Sequence, residues 1–264
     1  MSSRYHQLIE KIFFDRYRKN DTDVRFERSD FQDVATILKM KLPKNLGDVI
    51  YSVRYRTPMP QSIIDTQPDG MEWIIKGDGR SSYRFKLVKI NRILPQQNML
   101  ATKIPDATPE IIDKYALSDE QALLAKVRYN RLIDLFLGMV TYSMQNHLRT
   151  TVIDIGQIEI DEMYVGVDKN GRQYIIPVQA KGGKDQLSVV QTEQDLKFCE
   201  QKYPNLLSRA ISAQFLDEDL IVLFELALHE DEIRIVQEKH YKLTKAENIS
   251  ERDVNLYNSS TSQS

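Results

Sequence analysis

Residues 157–181 read QIEIDEMYVGVDKNGRQYIIPVQAK, and the fold turns on how this stretch divides. Ile158 to Val167 has the composition of a strand. Asp168-Lys169-Asn170-Gly171 ends in the Asn-Gly pair that favours a tight hairpin turn. Gln173 to Ala180 then reads as a second strand, and Gly182-Gly183 ends it. Side chains alternate faces along a strand. Glu159 and Asp161 therefore share one face, and Gln179 and Lys181 share one face of the neighbouring strand. The spacing predicts that two acids, an amide and a lysine meet at one point.

Working outward, Arg149 to Ile155 reads as a strand ahead of this hairpin. Ser118 followed by Gln121 forms a capping-box pattern. It opens a long helical pattern from Asp119 to about Asn146, with an apolar stripe of Leu123, Leu124, Val127, Leu132, Leu135, Phe136 and Met139. After the hairpin, Leu187 to about Tyr203 reads as a helix stopped by Pro204. Ile211 to Phe215 and Leu220 to Leu228 read as strands. Thr108-Pro109-Glu110 marks a helix start, and residues 95–108 read as a linker.

The first hundred residues have a different pattern. Residues 3–18 read as a helix carrying Leu8, Ile9, Ile12 and Phe13 on one face. Asn20 to Asp23 is a polar break. Ser29 with Gln32 suggests a capped helix from Asp30 to about Lys39, and a third short helix runs from Leu46 to about Tyr55. Glu72–Lys76 and Ser82–Val88 read as a hairpin turned by Gly77-Asp78-Gly79. Three helices followed by a basic hairpin resemble a winged helix-turn-helix, which implies DNA binding. The basic residues in place for it are Lys44, Arg54, Arg56, Lys76, Arg80, Arg84 and Lys86, suited to phosphate contacts.

Composition agrees with two parts. Of the 264 residues, the first hundred carry 18 Lys and Arg against 12 Asp and Glu, whereas the remainder carry 18 against 26. A basic half joined to an acidic half suggests a polyanion-binding part and a separate one. No apolar run reaches the ~18 residues that a membrane span needs. Cys199 is the single cysteine, so neither a disulfide framework nor a zinc cluster is expected. With no apolar leader, the expectation is a cytoplasmic protein without a membrane partner. The expected division is a DNA-binding domain at 1–100, a second domain at 101–250, and a disordered tail at 251–264.

The Glu159, Asp161, Gln179 and Lys181 set suits phosphodiester hydrolysis. Carboxylate oxygens hold Mg²⁺, and an amide oxygen can serve as a neutral ligand. The ion lowers the pKa of a bound water and stabilises phosphate charge, while a lysine holds the attacking water or offsets transition-state charge.

An acid on one strand, a hairpin, then a residue-x-Lys on the next strand, with flanking helices, resembles the PD-(D/E)xK nuclease superfamily over residues 118–228. The type II restriction endonucleases and the Holliday-junction resolvases belong to it. The resemblance implies an α+β to α/β fold with a restriction-endonuclease-like core: a mixed sheet flanked by helices, here behind a winged-helix-like domain. Asp161 matches the metal-binding acid, Gln179 the second acid position, and Lys181 the catalytic lysine. Two departures stand out. Ile160 precedes Asp161 where the motif has Pro, and Gln179 replaces an acid. Glu159 or Glu162 could restore the missing charge, and Glu120 on the preceding helix is a further candidate. The metal set is then Asp161, Gln179 and Glu159. Gln191, Glu193 and Gln194 open the helix after Lys181. A literal Pro105-Asp106 reads as a linker turn.

The resemblance implies a Mg²⁺-dependent endonuclease acting at specific double-stranded DNA sites, as a homodimer matching two-fold sites. A structure-specific resolvase or repair nuclease, and a catalytically inactive DNA-binding regulator, are the alternatives.

Overall fold

A computed structural model describes residues 4–260 apart from 43–44, 80, 90–91, 116–119, 154, 183–184, 218 and 231, and the side chains of 55, 56 and 258–260. The chain divides into two compact units. One holds residues 1–91 with 151–157 and 188–190; the other holds 92–150, 158–187 and 191–264.

In the first unit, α1 (Arg4–Arg16) buries Leu8, Ile9, Ile12 and Phe13, one face at helical spacing. β1 (Asp23–Glu27) follows, with Val24 and Phe26 inward and Asp23, Arg25 and Glu27 outward. This strand, which begins at the last residue of the polar break expected at 20–23, was not expected. α2 (Asp30–Ile37) begins where expected, but Ser29 makes no side-chain cap. Asp30 instead accepts the Glu27 N–H at 2.8 Å and a bond from Arg16 at 2.8 Å, so the capping box with Gln32 does not form. α3 (Gly47–Tyr51) runs into a π-helical turn, Ser52–Arg56. Thr57 returns to extended backbone, the conformation favoured before a proline. α4 (Gln61–Ile64) leads to β2 (Glu72–Gly77) and β3 (Ser82–Val88). The strands form one antiparallel sheet in the order β1-β3-β2, with Phe26 opposite Tyr83 and Ile75 opposite Phe85. Phe13, Phe26, Phe31, Trp73 and Phe85 fill its core. The Trp73 indole N–H donates to Thr66 Oγ1 at 2.9 Å, leaving no unpaired donor there.

The second unit opens with β4 (Arg92–Ile93), β5 (Thr102–Pro105), α5 (Glu110–Tyr115), α6 (Glu120–Tyr129) and α7 (Leu132–Leu137). Next come β6 (Val140–Val152), β7 (Gly156–Val167), β8 (Gln173–Gly182), β9 (Leu187–Ser188) and α8 (Val189–Lys202). It closes with β10 (Leu207–Ser208), β11 (Ala210–Phe215), β12 (Leu220–His229), β13 (Glu232–Thr244) and α9 (Glu251–Ser260). The main sheet is mixed, in the order β5-β13-β12-β11-β8-β7-β6, with β10 beside β8. β7 and β8 are antiparallel, Glu162 facing Val178 and Val167 facing Gln173 across the Asn-Gly turn. β8 and β11 are parallel, which requires a crossover, and α8 supplies it. Ile176, Val178 and Ala180 of β8 pack with Leu124 and Val127 of α6, Ile133 of α7 and Ile211 and Ala213 of β11.

Three expectations need correction. The long helix from Asp119 to Asn146 forms as two helices and a strand. The first break is at Arg131 (φ 49°), beside Asn130, whose side chain bonds back to the Lys126 carbonyl. The second is at Gly138 (φ 63°), whose N–H returns to the Asp134 carbonyl. Beyond it Val140, Thr141 and Tyr142 have strand-forming side chains. The capping box expected at Ser118 lies outside the described residues. The linker at 95–108 contains β5, which pairs in parallel with β13, Thr102 opposite Tyr241. The tail expected to be disordered holds α9. Lys103 anchors that helix: its backbone N–H donates to the Tyr257 hydroxyl at 2.9 Å and its ammonium pairs with Asp253 at 2.9 Å. Residues 261–264 of that tail lie outside the described residues. Among the described residues, no helix is long and apolar enough to cross a membrane.

Candidate functional site

Asp161, Gln179 and Lys181 lie on neighbouring strands, and their side chains form one connected polar group within the second unit. Asp161 is 7% exposed. Its Oδ2 accepts the Ala180 backbone N–H at 2.8 Å, so the carboxyl is fixed by the adjacent strand. Burial raises its pKa above the ordinary carboxylate value, only partly opposed by the Ala180 N–H and by the Lys181 charge. Lys181 stands near the end of β8 and reaches the first residue of α6. Its Nζ lies 2.8 Å from Glu120 Oε1. Burial alone would lower its pKa, but the Glu120 bond and the charge of Asp161 outweigh this and hold the ammonium charged.

Gln179 is 3% exposed and its amide is held at both ends. The Nε2 donates to the Glu159 carbonyl and to Asp195 Oδ2, both at 2.8 Å. The Oε1 accepts from Gln191 Nε2 at 2.8 Å. Asp195 is the functional-site residue that the sequence reading passed over. Among the described residues its Oδ1 has no hydrogen-bond partner. Burial pushes its carboxyl well above the ordinary range, against the opposing Gln179 bond, and the nearby Asp161 adds to the rise. Asp195 follows Gln191 by four residues, so both share a helix face, but only the crossover brings that face to Gln179. Of the neighbours considered, Glu193 is paired with Lys197 at 2.9 Å.

The two acids proposed to restore the lost charge are elsewhere. Glu159 directs its side chain to Arg149 at 3.1 Å and His147 at 3.3 Å on β6, and only its backbone carbonyl touches Gln179. Glu162 is turned to the opposite face of β7, as its even register requires. There it is fully buried, paired with Arg128 Nε at 2.8 Å and with the Ser143 hydroxyl at 2.5 Å. Glu162 is therefore apart from the Asp161 group. His147, at φ 51°, interrupts the alternation of β6. Ser143 before it meets Glu162, while Arg149 after it meets Glu159. Pro105-Asp106 closes a turn: Asp106 accepts the Thr108 N–H at 2.8 Å and a longer bond from Asn130.

Among the described residues, no three His, Cys, Asp or Glu side chains converge on one point. The chemistry of the donor set still fits a hard cation. Asp161 and Glu120 both offer carboxylate oxygens beside one lysine, and Mg²⁺ usually takes only one or two carboxylates, completing its shell with water and phosphate oxygens.

In the first unit the basic residues differ in availability. Lys76 lies on the inner run of β2 and is 8% exposed, so it does not present a free surface charge. Arg84 is paired with Asp78 and, at 3.0 Å, with Asp23. Arg54 donates to the Ile75 carbonyl at 2.7 Å and lies over the Tyr83 ring. Lys86 is half-exposed. Lys44, Arg80 and the side chain of Arg56 lie outside the described residues.

No family model, no curated protein and no solved structure matches this chain.

Proposed function

We propose that the chain is a Mg²⁺-dependent DNA endonuclease with a restriction-endonuclease-like catalytic unit and a winged-helix-like DNA-binding unit. The observation that carries this reading is the Lys181 ammonium, bonded to Glu120 and electrostatically coupled to Asp161. A charged lysine beside two oxygen-ligand acids is what hydrolysis of a phosphodiester requires. The order α6-α7, β6, β7, β8, α8, β11, with β8 and β11 parallel, supports the superfamily reading. The order α1, β1, α2, α3, α4, β2, β3 with sheet order β1-β3-β2 supports the winged-helix reading.

Asp161 and Glu120 would hold the ion, which when bound lowers the pKa of a water and neutralises phosphate charge. Asp161 is oriented for this by the Ala180 N–H. Lys181 keeps its proton, donates to the attacking water or to a phosphate oxygen, and stabilises the charge that develops there. Gln179 is locked by its partners and acts as part of the floor of the site.

Site-specific cutting by a homodimer completes the proposal. β6 is one of the two edge strands of the main sheet, and residues 140–148 contain no Asp, Glu, Lys or Arg. Such an edge lacks the charges that usually block strand pairing, which supports pairing with a second copy. Incubation of supercoiled plasmid and of long natural DNA with and without Mg²⁺ is the test. Discrete Mg²⁺-dependent fragments are expected. Cutting only at branched DNA would favour a resolvase, and binding without cutting a regulator.

A further inference from the structure

The lost acid at position 179 leaves a charge to be found, and neither strand neighbour supplies it. Glu162 is on the other face of β7, held by Arg128 and Ser143. The Glu159 side chain belongs to His147 and Arg149. What faces Gln179 is Asp195. Its Oδ2 accepts the amide N–H at 2.8 Å, the residue is 2% exposed, and its Oδ1 has no hydrogen-bond partner among the described residues. Asp161 is also close enough to disfavour its charge.

We propose that Asp195, reaching in from α8, carries the carboxylate that Gln179 lacks on β8, so that amide and acid have exchanged places across one hydrogen bond. This rests on the nuclease reading above. The surroundings explain the exchange. Position 179 faces two acceptors, the Glu159 carbonyl and Asp195 Oδ2, and an amide N–H can serve both, whereas a carboxylate there would meet two like partners. The unpaired Oδ1 is the oxygen left over, buried beside Asp161. A divalent cation held by Asp161 offsets the cost of a second buried anion. Asp195 is a positioning residue that acts through Gln179 and through its charge.

The test is a Mn²⁺ titration of the full chain without DNA, followed by the electron paramagnetic resonance signal of free Mn²⁺. Loss of a residue that supports a metal ligand typically weakens binding about 10–100-fold. Asp195→Asn is expected to fall in that range. Adding Gln179→Glu to it, which puts the acid on the strand and the amide on the helix, is expected to restore affinity to within about threefold of wild type. A purely structural role for Asp195 would show no such rescue. If Asp195→Asn does not fold, the double variant is compared directly with wild type, and a loss of tenfold or more overturns the proposal. So does an Asp195→Asn protein that binds Mn²⁺ like wild type, or a double variant no better than the single one. A wild-type chain that binds no Mn²⁺ instead removes the nuclease reading, and this inference with it.

Discussion

The Gln179 amide and the Asp195 carboxyl meet at 2.8 Å in a contact closed to solvent, and the same amide nitrogen also serves the Glu159 carbonyl. The two N–H donors of one amide nitrogen thus tie β8 to both β7 and α8 behind Asp161. The single substitution Gln179→Glu, which would regenerate the commoner nuclease motif, removes that donor and places an acceptor against two acceptors. Leaving buried acceptors unmet costs about 1–3 kcal/mol. Urea unfolding is expected to show a loss of that size for Gln179→Glu at neutral pH. An unchanged midpoint would mean that the amide is not held as described.

Glu162 offers a contrast with Asp161. It is fully buried and its cation is Arg128. Removing one partner of a buried pair costs about 3–5 kcal/mol, because the other charge stays uncompensated. The Arg128 side chain is 34% exposed, so solvent screens the pair in part, and Arg128→Ala is expected to lower the unfolding free energy by less than that. A soluble Glu162→Gln protein is expected to retain cleavage, since this face of β7 lies away from Lys181. Loss of cleavage by a stable Glu162→Gln protein would place Glu162 in the chemistry after all.

The C-terminal helix α9 is held by an acid whose pKa is lowered. Hydrogen bonds from Ser250, with the ion pair to Lys103, bring the Asp253 carboxyl down from the ordinary 3.8 to about 2. The unfolded helix therefore takes up the proton first as pH falls. The stabilisation is complete above 3.8 and lost on descent through about 2. Hydrogen exchange at pH 6 should show residues 251–257 protected in wild type and less so in Asp253→Asn. At the acid end of that window the two proteins should behave alike. Equal protection at pH 6 would show that Tyr257 alone docks the helix.

In the first unit, surface and internal charges should separate. Lys86→Ala is expected to weaken DNA binding on every sequence and to flatten the salt dependence by about one unit. Arg84→Ala is expected to act first on stability, because Arg84 bridges Asp78 and Asp23. Salt-dependent binding unchanged in Lys86→Ala would remove β3 from the DNA interface.

The β7-β8 hairpin was legible because its Asn-Gly turn and period-2 spacing are local signals. The acid, amide and lysine on one side followed from alternation alone. Asp195 was not legible, because a residue on α8 reaches Gln179 only through the crossover that brings β11 beside β8. The helix expected across 119–146 failed for a related reason. Apolar spacing from Leu123 to Met139 fits two short helices as well as one long one, and only the positive φ at Arg131 and Gly138 decides. β13 was missed because its exposed polar residues, Arg234, Lys239 and Lys242 among them, dilute the apolar pattern.

The central claim is that Asp161 and Lys181 perform metal-dependent cleavage. Its most direct test is the rate of Mg²⁺-dependent plasmid cutting by wild type, Asp161→Ala and Lys181→Ala, with DNA affinity measured in parallel. The account predicts cutting by wild type that stops on chelation. It predicts a fall of about 100-fold or more in each variant, with DNA binding retained. Full cutting by Asp161→Ala at unaltered Mg²⁺ dependence would contradict it.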